Sequence, residues 1–174
     1  MIASSETDEG PVPATRAQAV GVGVLSALLG FFVVTSGWVP LLDSANLALH
    51  EAGHPVVGLL SHRLEPYGGT IFQLLFPVLV IVHFFRRHHD AGAAIGAVWL
   101  GENLHNVARY MADARAQNLP LVGGGHHDWA EILSRWGLLQ SDLGLARLTH
   151  GLGWLLMAGA VVWMFRRARQ VADD

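Results

Sequence analysis

Between residues 17 and 42 the chain carries no charged side chain, a stretch longer than the ~20 apolar residues a helix needs to cross a bilayer. In a water-soluble domain a helix keeps one polar face toward solvent, so a run of this length points to lipid. Similar runs follow at residues 69–85 and 148–165, and two more, at 44–61 and 91–113, are apolar with a few polar interruptions. The expectation is an all-α fold: a multi-span helical membrane protein with about five transmembrane helices near 17–40, 44–61, 69–85, 91–113 and 148–165. Together they make a single helical membrane domain over residues 17–170.

The segments between the spans are short and polar. Residues 1–16 are acidic, small and proline-containing, with nothing to bury, and read as a disordered tail. In residues 128–138, Trp129, Ile132, Leu133 and Trp136 recur at helical spacing, with Glu131, Ser134 and Arg135 on the other side. That pattern predicts an interfacial amphipathic helix with its tryptophans at headgroup level. The glycines at 123–125 would form a hinge before it. With five spans, Arg86, Arg87 and the cluster Arg166, Arg167 and Arg169 fall on one side, which the positive-inside rule makes cytoplasmic together with the C-terminus.

The chain contains no cysteine. Disulfides and thiolate metal sites are therefore excluded, and any metal must be held by histidine, carboxylate or carbonyl oxygen. All eleven basic residues are arginine, and the net charge is −3. No dense basic face exists to bind nucleic acid. Arginine without lysine hints at a GC-rich bacterial genome, hence an integral protein of a bacterial plasma membrane with lipid as its surroundings.

Residues 50–54 read His-Glu-Ala-Gly-His, inside the second predicted span. Histidines at i and i+4 share a helix face and can hold one tetrahedral Zn²⁺, while the glutamate between them reaches a water that the zinc activates. Ionisable groups in a bilayer helix cost ~2.5–3.5 kcal/mol each on insertion scales and persist where they are paired or functional. His50 and His54 are thus the expected metal ligands, and Glu51 the general base. Asn46, four residues before His50, lies on the same helix face and is expected to support the metal ligands from behind, while Asp43 and Ser44 offer helix-capping chemistry.

A hydrolytic zinc site takes three protein ligands and keeps one position open. The third is expected from His127, with Asp113 and Asp128 as alternatives; Asp128 also suits the cap of the surface helix. Asn103, Asn106, Tyr110 and Asp113 form one polar stripe along the fourth span, which would either support the metal or close a hydrogen-bond network between helices. Glu102 and His105 are expected to pair with each other or with Arg109. His83, His88 and His89 read as a solvated patch, and His150 as structural.

These residues resemble the site-2 protease family, intramembrane zinc metalloproteases that place H-E-x-x-H on a membrane helix. His50, Glu51 and His54 match its motif by type and spacing. The segment GGTIFQ, residues 68–73, is similar to that family's Gly-Pro-x-x-Asn segment, with Gly69 in place of the proline, Gln73 in place of the asparagine and one residue more between them. The family's third ligand is an aspartate usually followed by glycine, and this chain contains no Asp-Gly pair. The resemblance implies a zinc-dependent membrane endopeptidase, a hydrolase acting on a membrane-associated peptide or protein, with Gln73 near the active-site cleft. Two other functions are consistent with the residues: a multi-histidine membrane haem or redox protein using His50, His54, His83, His105 and His150, or an inactive metal-binding scaffold for a membrane partner.

Overall fold

The computed structural model describes residues 12–122 and 125–173. It contains six α-helices: α1 (Arg16–Thr35), α2 (Leu42–Gly58), α3 (Glu65–Arg86), α4 (Asp90–Ala112), α5 (Asp128–Arg135) and α6 (Asp142–Asp173), the last preceded by a short 3-10 turn, Leu139–Ser141. There is no strand among the described residues, only an isolated bridge between Val12 and His89.

Three helices are long and apolar enough to cross a membrane: α1, α3 and α6 with its leading turn. Each leaves an apolar stripe uncovered. On α1 it is Val20, Val24, Leu28, Phe31 and Val34, and on α6 it is Leu148, Leu152, Leu155 and Val162. Bare stripes three and four residues apart on several helices are larger than a soluble monomer tolerates, and they suit lipid. Neither α2 nor α4 belongs to this group. The 17-residue α2 carries Asp43, His50, Glu51 and His54, and α4 carries Asp90, Glu102, His105 and Arg109.

The polar load therefore sits on two helices, and the fold shields it. α4 is the most buried helix and packs against α6, α3 and α1, while α2 packs chiefly against α3. Small residues allow these crossings. A methyl group added at Gly101 would meet the Gly153 carbonyl at 2.9 Å, and one added at Gly53 would meet the Gly68 carbonyl at 2.1 Å. At both points backbone touches backbone.

The helix ends differ from the sequence reading in instructive ways. α1 stops at Thr35 rather than near residue 40, because Gly37 takes a left-handed φ of 64° and its N–H bonds the Phe32 carbonyl in the manner of a glycine C-cap. α6 starts at Asp142 and runs through the exposed Arg147, since one charge at a rim does not end a helix. Of the expected tail, residues 1–11 lie outside the described residues. Residues 12–16 belong to the fold: Ala14 is buried, Thr15 forms a capping box with Gln18, and Arg16 opens α1. Gly123 and Gly124 of the expected hinge also lie outside the described residues.

α5 is shorter than expected and turned inward. It ends at Arg135, where Gly137 (φ 69°) and the bond from the Leu138 N–H to the Leu133 carbonyl close it. Trp129, Ile132 and Leu133 are buried with Val107, Met111 and Ala146, so the apolar face packs on protein. Trp136 is exposed, and of the two tryptophans it alone is free for an interface.

Candidate metal centre

The site lies where α2, α3, α4 and the start of α5 meet. His50 and His54 stand one turn apart on α2, their ring centroids 5.0 Å apart. Glu51 is half-buried, and one of its carboxylate oxygens lies within 4.8 Å of the histidine nitrogens, making a group able to hold a metal ion. Asp128, the first residue of α5, arrives from across the fold. Its Oδ2 is 2.9 Å from His50 Nε2 and 3.3 Å from His54 Nε2. Three donor atoms from two helices thus converge on one point.

Hydrogen bonds behind the imidazoles fix which nitrogen faces that point. Oδ1 of Asp43 can only accept, and it takes a bond from Asn106 Nδ2 at 2.9 Å. Asn106 Oδ1 must then face Gln73 Nε2, at 2.8 Å. Gln73 in turn presents Oε1 to His50 Nδ1, at 3.1 Å. The chain ends on a histidine that carries a proton on Nδ1, so Nε2 is the nitrogen that faces Asp128. His54 reaches the same state by a shorter route, because its Nδ1 donates to the Glu65 carbonyl at 3.0 Å. Metal-binding histidines are oriented in this way, through the N–H on the other side of the ring.

The network continues into α4. Asn46 donates to Glu102 at 2.9 Å and accepts from Trp99 at 2.9 Å and Asn103 at 3.1 Å. Asp43, expected at the helix cap, sits instead in the first turn, where it accepts the Val39 N–H at 2.6 Å. Asn46, Asn103, Asn106 and Gln73 therefore stand behind His50, in one hydrogen-bonded system with Asp43 and Glu102 that is buried except at the half-buried Asn106.

The structure sets His127 at the cap of α5 and turns the Asp128 carboxylate toward His50 and His54. His127 is the N-cap of α5, its Nδ1 accepting the Ala130 N–H at 3.2 Å and its Nε2 lying 3.4 Å from Asp113 Oδ2. Neither nitrogen is turned to the histidines of α2. Burial pushes the His127 imidazole down, more than Asp113 and Asp128 raise it, so it caps as a neutral ring. Asp113 accepts the N–H groups of Asn118 and Leu119 at 2.9 and 3.0 Å and closes the loop after α4. With His127 capping the helix, the carboxylate one residue later is free to point inward. Tyr110 fixes it there, its hydroxyl accepting the Asp128 N–H at 3.1 Å. Burial alone would raise the Asp128 carboxyl, but the hydrogen bonds and charge of His50 and His54 hold it below the usual carboxylate range.

Other expectations resolve differently. Glu102 pairs with Asn46, and His105 with His150 at 2.6 Å between Nδ1 atoms, so neither pairs with Arg109, which lies over the Trp38 ring instead. The His105–His150 contact leaves no space for iron between the rings. His83 and His88 are exposed, and His89 caps α4 through Gly92. One requirement was not read from the sequence at all: a methyl group at Gly69 would lie 2.4 Å from His50 Nε2, so that glycine makes room for the ring. Its signal was a glycine inside a helix, which costs ~1 kcal/mol against alanine and implies close approach.

Two cavities flank the site, of about 450 and 390 Å³, and His50, Glu51, Tyr110, Leu121 and Val122 border both. The larger is walled mainly by apolar groups, and the smaller reaches His54 and Asp128. Among the described residues the Glu51 carboxylate accepts no hydrogen bond, and it faces both spaces. No family model matches the chain, and no curated protein or solved structure is similar enough to it to count as a match. What fold and site define together is a helical protein with membrane-length apolar helices and a His50-Glu51-His54 group able to hold a metal ion.

Proposed function

We propose that this chain is a membrane-embedded zinc peptidase in which His50, His54 and Asp128 hold the metal and Glu51 is the general base. The observation that carries the reading is the convergence of two Nε2 atoms and one carboxylate oxygen, with both Nδ1 positions already spent on acceptors. In the metal-free protein protons bridge these atoms, and a bound cation would take their place. Protonating both imidazoles would set two positive rings edge to face, whereas a single divalent ion satisfies all three donors. Tetrahedral zinc with Zn–N and Zn–O bonds near 2.1 Å has ligand-to-ligand edges of about 3.4 Å; the 3.3 Å separation from His54 matches this, and the 2.9 Å hydrogen-bond separation from His50 would open slightly on binding.

Zinc bound there would polarise a carbonyl oxygen and lower the pKa of a water to about 7. The protein's own part is to hold Glu51 unpaired beside that position, able to take the water's proton and return it to the leaving nitrogen. Two imidazoles and one carboxylate also suit Fe(II); Glu51, free and adjacent, favours hydrolysis. In this reading α2 and α4 also lie at membrane depth, screened by α1, α3 and α6. That makes five spans, with the C-terminal arginines on the cytoplasmic side of a bacterial plasma membrane.

Elemental analysis of the detergent-purified protein tests the metal. One equivalent of zinc is expected, with hydrolysis of an apolar peptide lost on chelation and restored by zinc. Iron in its place, or hydrolysis indifferent to chelation, overturns the reading.

Two further results follow from the geometry. Gly69→Ala should weaken zinc binding by about 10- to 100-fold, the range seen when support for a metal ligand is lost, while helix content is kept because alanine is the better helix former. Competition against a zinc chelator reads this directly. The second concerns pH in the metal-free protein. Because the folded state depresses the Asp128 carboxyl, its share of stability is present above about pH 4, the ordinary carboxylate value, and fades as pH falls through the lower folded value. Thermal unfolding should therefore show an acid-side loss of stability that is smaller in Asp128→Asn; an identical pH profile in the two proteins would refute it.

A further inference from the structure

Arg109 is a half-buried guanidinium in the wall of the 450 Å³ cavity, the same cavity that borders Glu51 and His50. Its Cζ lies 5.9 Å from the centre of the Trp38 ring, and its aliphatic part runs beside Gly37. Among the described residues no carboxylate forms an ion pair with it, and no acceptor takes its N–H groups. Glu51 borders the same cavity and is itself unpaired, but forms no ion pair with Arg109, while Glu102 is engaged with Asn46, Asp43 with Asn106 and Val39, and Asp113 with the backbone at 118 and 119. A guanidinium cannot shed its proton, and a half-buried one beside apolar walls favours an opposite charge. The remaining walls of the cavity include Trp38, Leu47, Leu121 and Val122. Its volume is in the range of small-ligand sites.

An apolar chamber with one fixed cation on one wall and the metal centre on another fits an apolar ligand with an anionic end. We infer that the cavity takes the carboxyl-terminal end of an apolar peptide, with Arg109 anchoring the terminal carboxylate through charge-assisted, fork-shaped hydrogen bonds. This rests on the peptidase reading above and names its substrate class. The bond cut is then a peptide bond close to the chain end. Water adds its oxygen to the carbonyl carbon, the C–N bond breaks, and the proton taken by Glu51 passes to the leaving nitrogen. The short fragment released is the one whose carboxylate sits on Arg109.

The experiment uses the full chain in detergent, zinc-loaded and with Glu51→Gln to prevent turnover. It titrates an N-acetylated leucine/alanine tetrapeptide calorimetrically, once as the free acid and once as the C-terminal amide. The acid should bind about tenfold tighter or more, the worth of a hydrogen bond to a charged group. Adding Arg109→Gln should remove that preference, and Arg109→Lys should keep part of it, with zinc content measured in each to show an intact site. Equal binding of acid and amide overturns the inference, as does displacement of the peptide by phosphatidylglycerol vesicles without any acid preference, which would assign Arg109 to a lipid phosphate. Activity separates the two levels. If the Glu51-containing protein hydrolyses acid and amide at equal rates, the anchor fails and the peptidase stands; if it hydrolyses neither, while the acid still binds through Arg109, the peptidase reading is the one that fails.

Discussion

Replacing Glu51 with glutamine should leave one equivalent of zinc in the protein and lower peptide hydrolysis by about 10²- to 10⁴-fold, the usual worth of a positioned general base. Glutamine matches glutamate in shape and accepts no proton at neutral pH. In the proposed site Glu51 does not supply one of the three meeting atoms, which are His50 Nε2, His54 Nε2 and Asp128 Oδ2. It stands within 4.8 Å of the histidine nitrogens and faces both cavities. Zinc content and turnover measured on the same sample distinguish base from ligand. Loss of zinc in Glu51→Gln would make the carboxylate a ligand, and full activity would remove it from the mechanism.

The second large effect separates two neighbours. Asp128→Ala should weaken zinc binding by about 100-fold or more, since loss of even an outer partner costs 10- to 100-fold and this change removes a direct donor. His127→Ala should keep the zinc. It takes away the cap on the Ala130 N–H, a loss of about 1 kcal/mol by comparison with other N-caps, and so lowers thermal stability slightly. Zinc titration of both variants decides which residue of the pair is the ligand. The opposite pattern, zinc lost with His127 and kept without Asp128, would return the third position to the histidine.

This pair shows where sequence reasoning stops. A His-Asp dipeptide at a helix start holds one cap and one inward-pointing group, and local chemistry assigns them poorly, because both side chains can cap. Only the position of α5 against α4, held by the Tyr110 hydroxyl on the Asp128 N–H, decides it. The polar stripe of α4 was similar. Spacing placed Asn103, Asn106, Tyr110 and Asp113 on one face, yet the partners of that face come from α2, α3, α5 and the loop after α4. Asn106 became a link in the chain to His50, Asp113 a loop closure, and Tyr110 an anchor. The inward turn of α5 has the same origin: its amphipathic pattern would serve a membrane surface or a protein surface equally, and the cluster with Met111 and Ala146 made the choice.

The amino-acid order by itself determined the helical class, the apolar segments and the i, i+4 placement of His50 and His54 beside Glu51, because these depend on lengths and periodicities within one helix. The meeting of Asp128 with those histidines, the hydrogen-bond chain that sets their tautomers, and the freedom of Arg109 over Trp38 were decided only by tertiary structure. Each depends on how closely helices distant in sequence approach, and that distance is set by where glycines such as Gly53, Gly68 and Gly69 let backbone or ring come into contact.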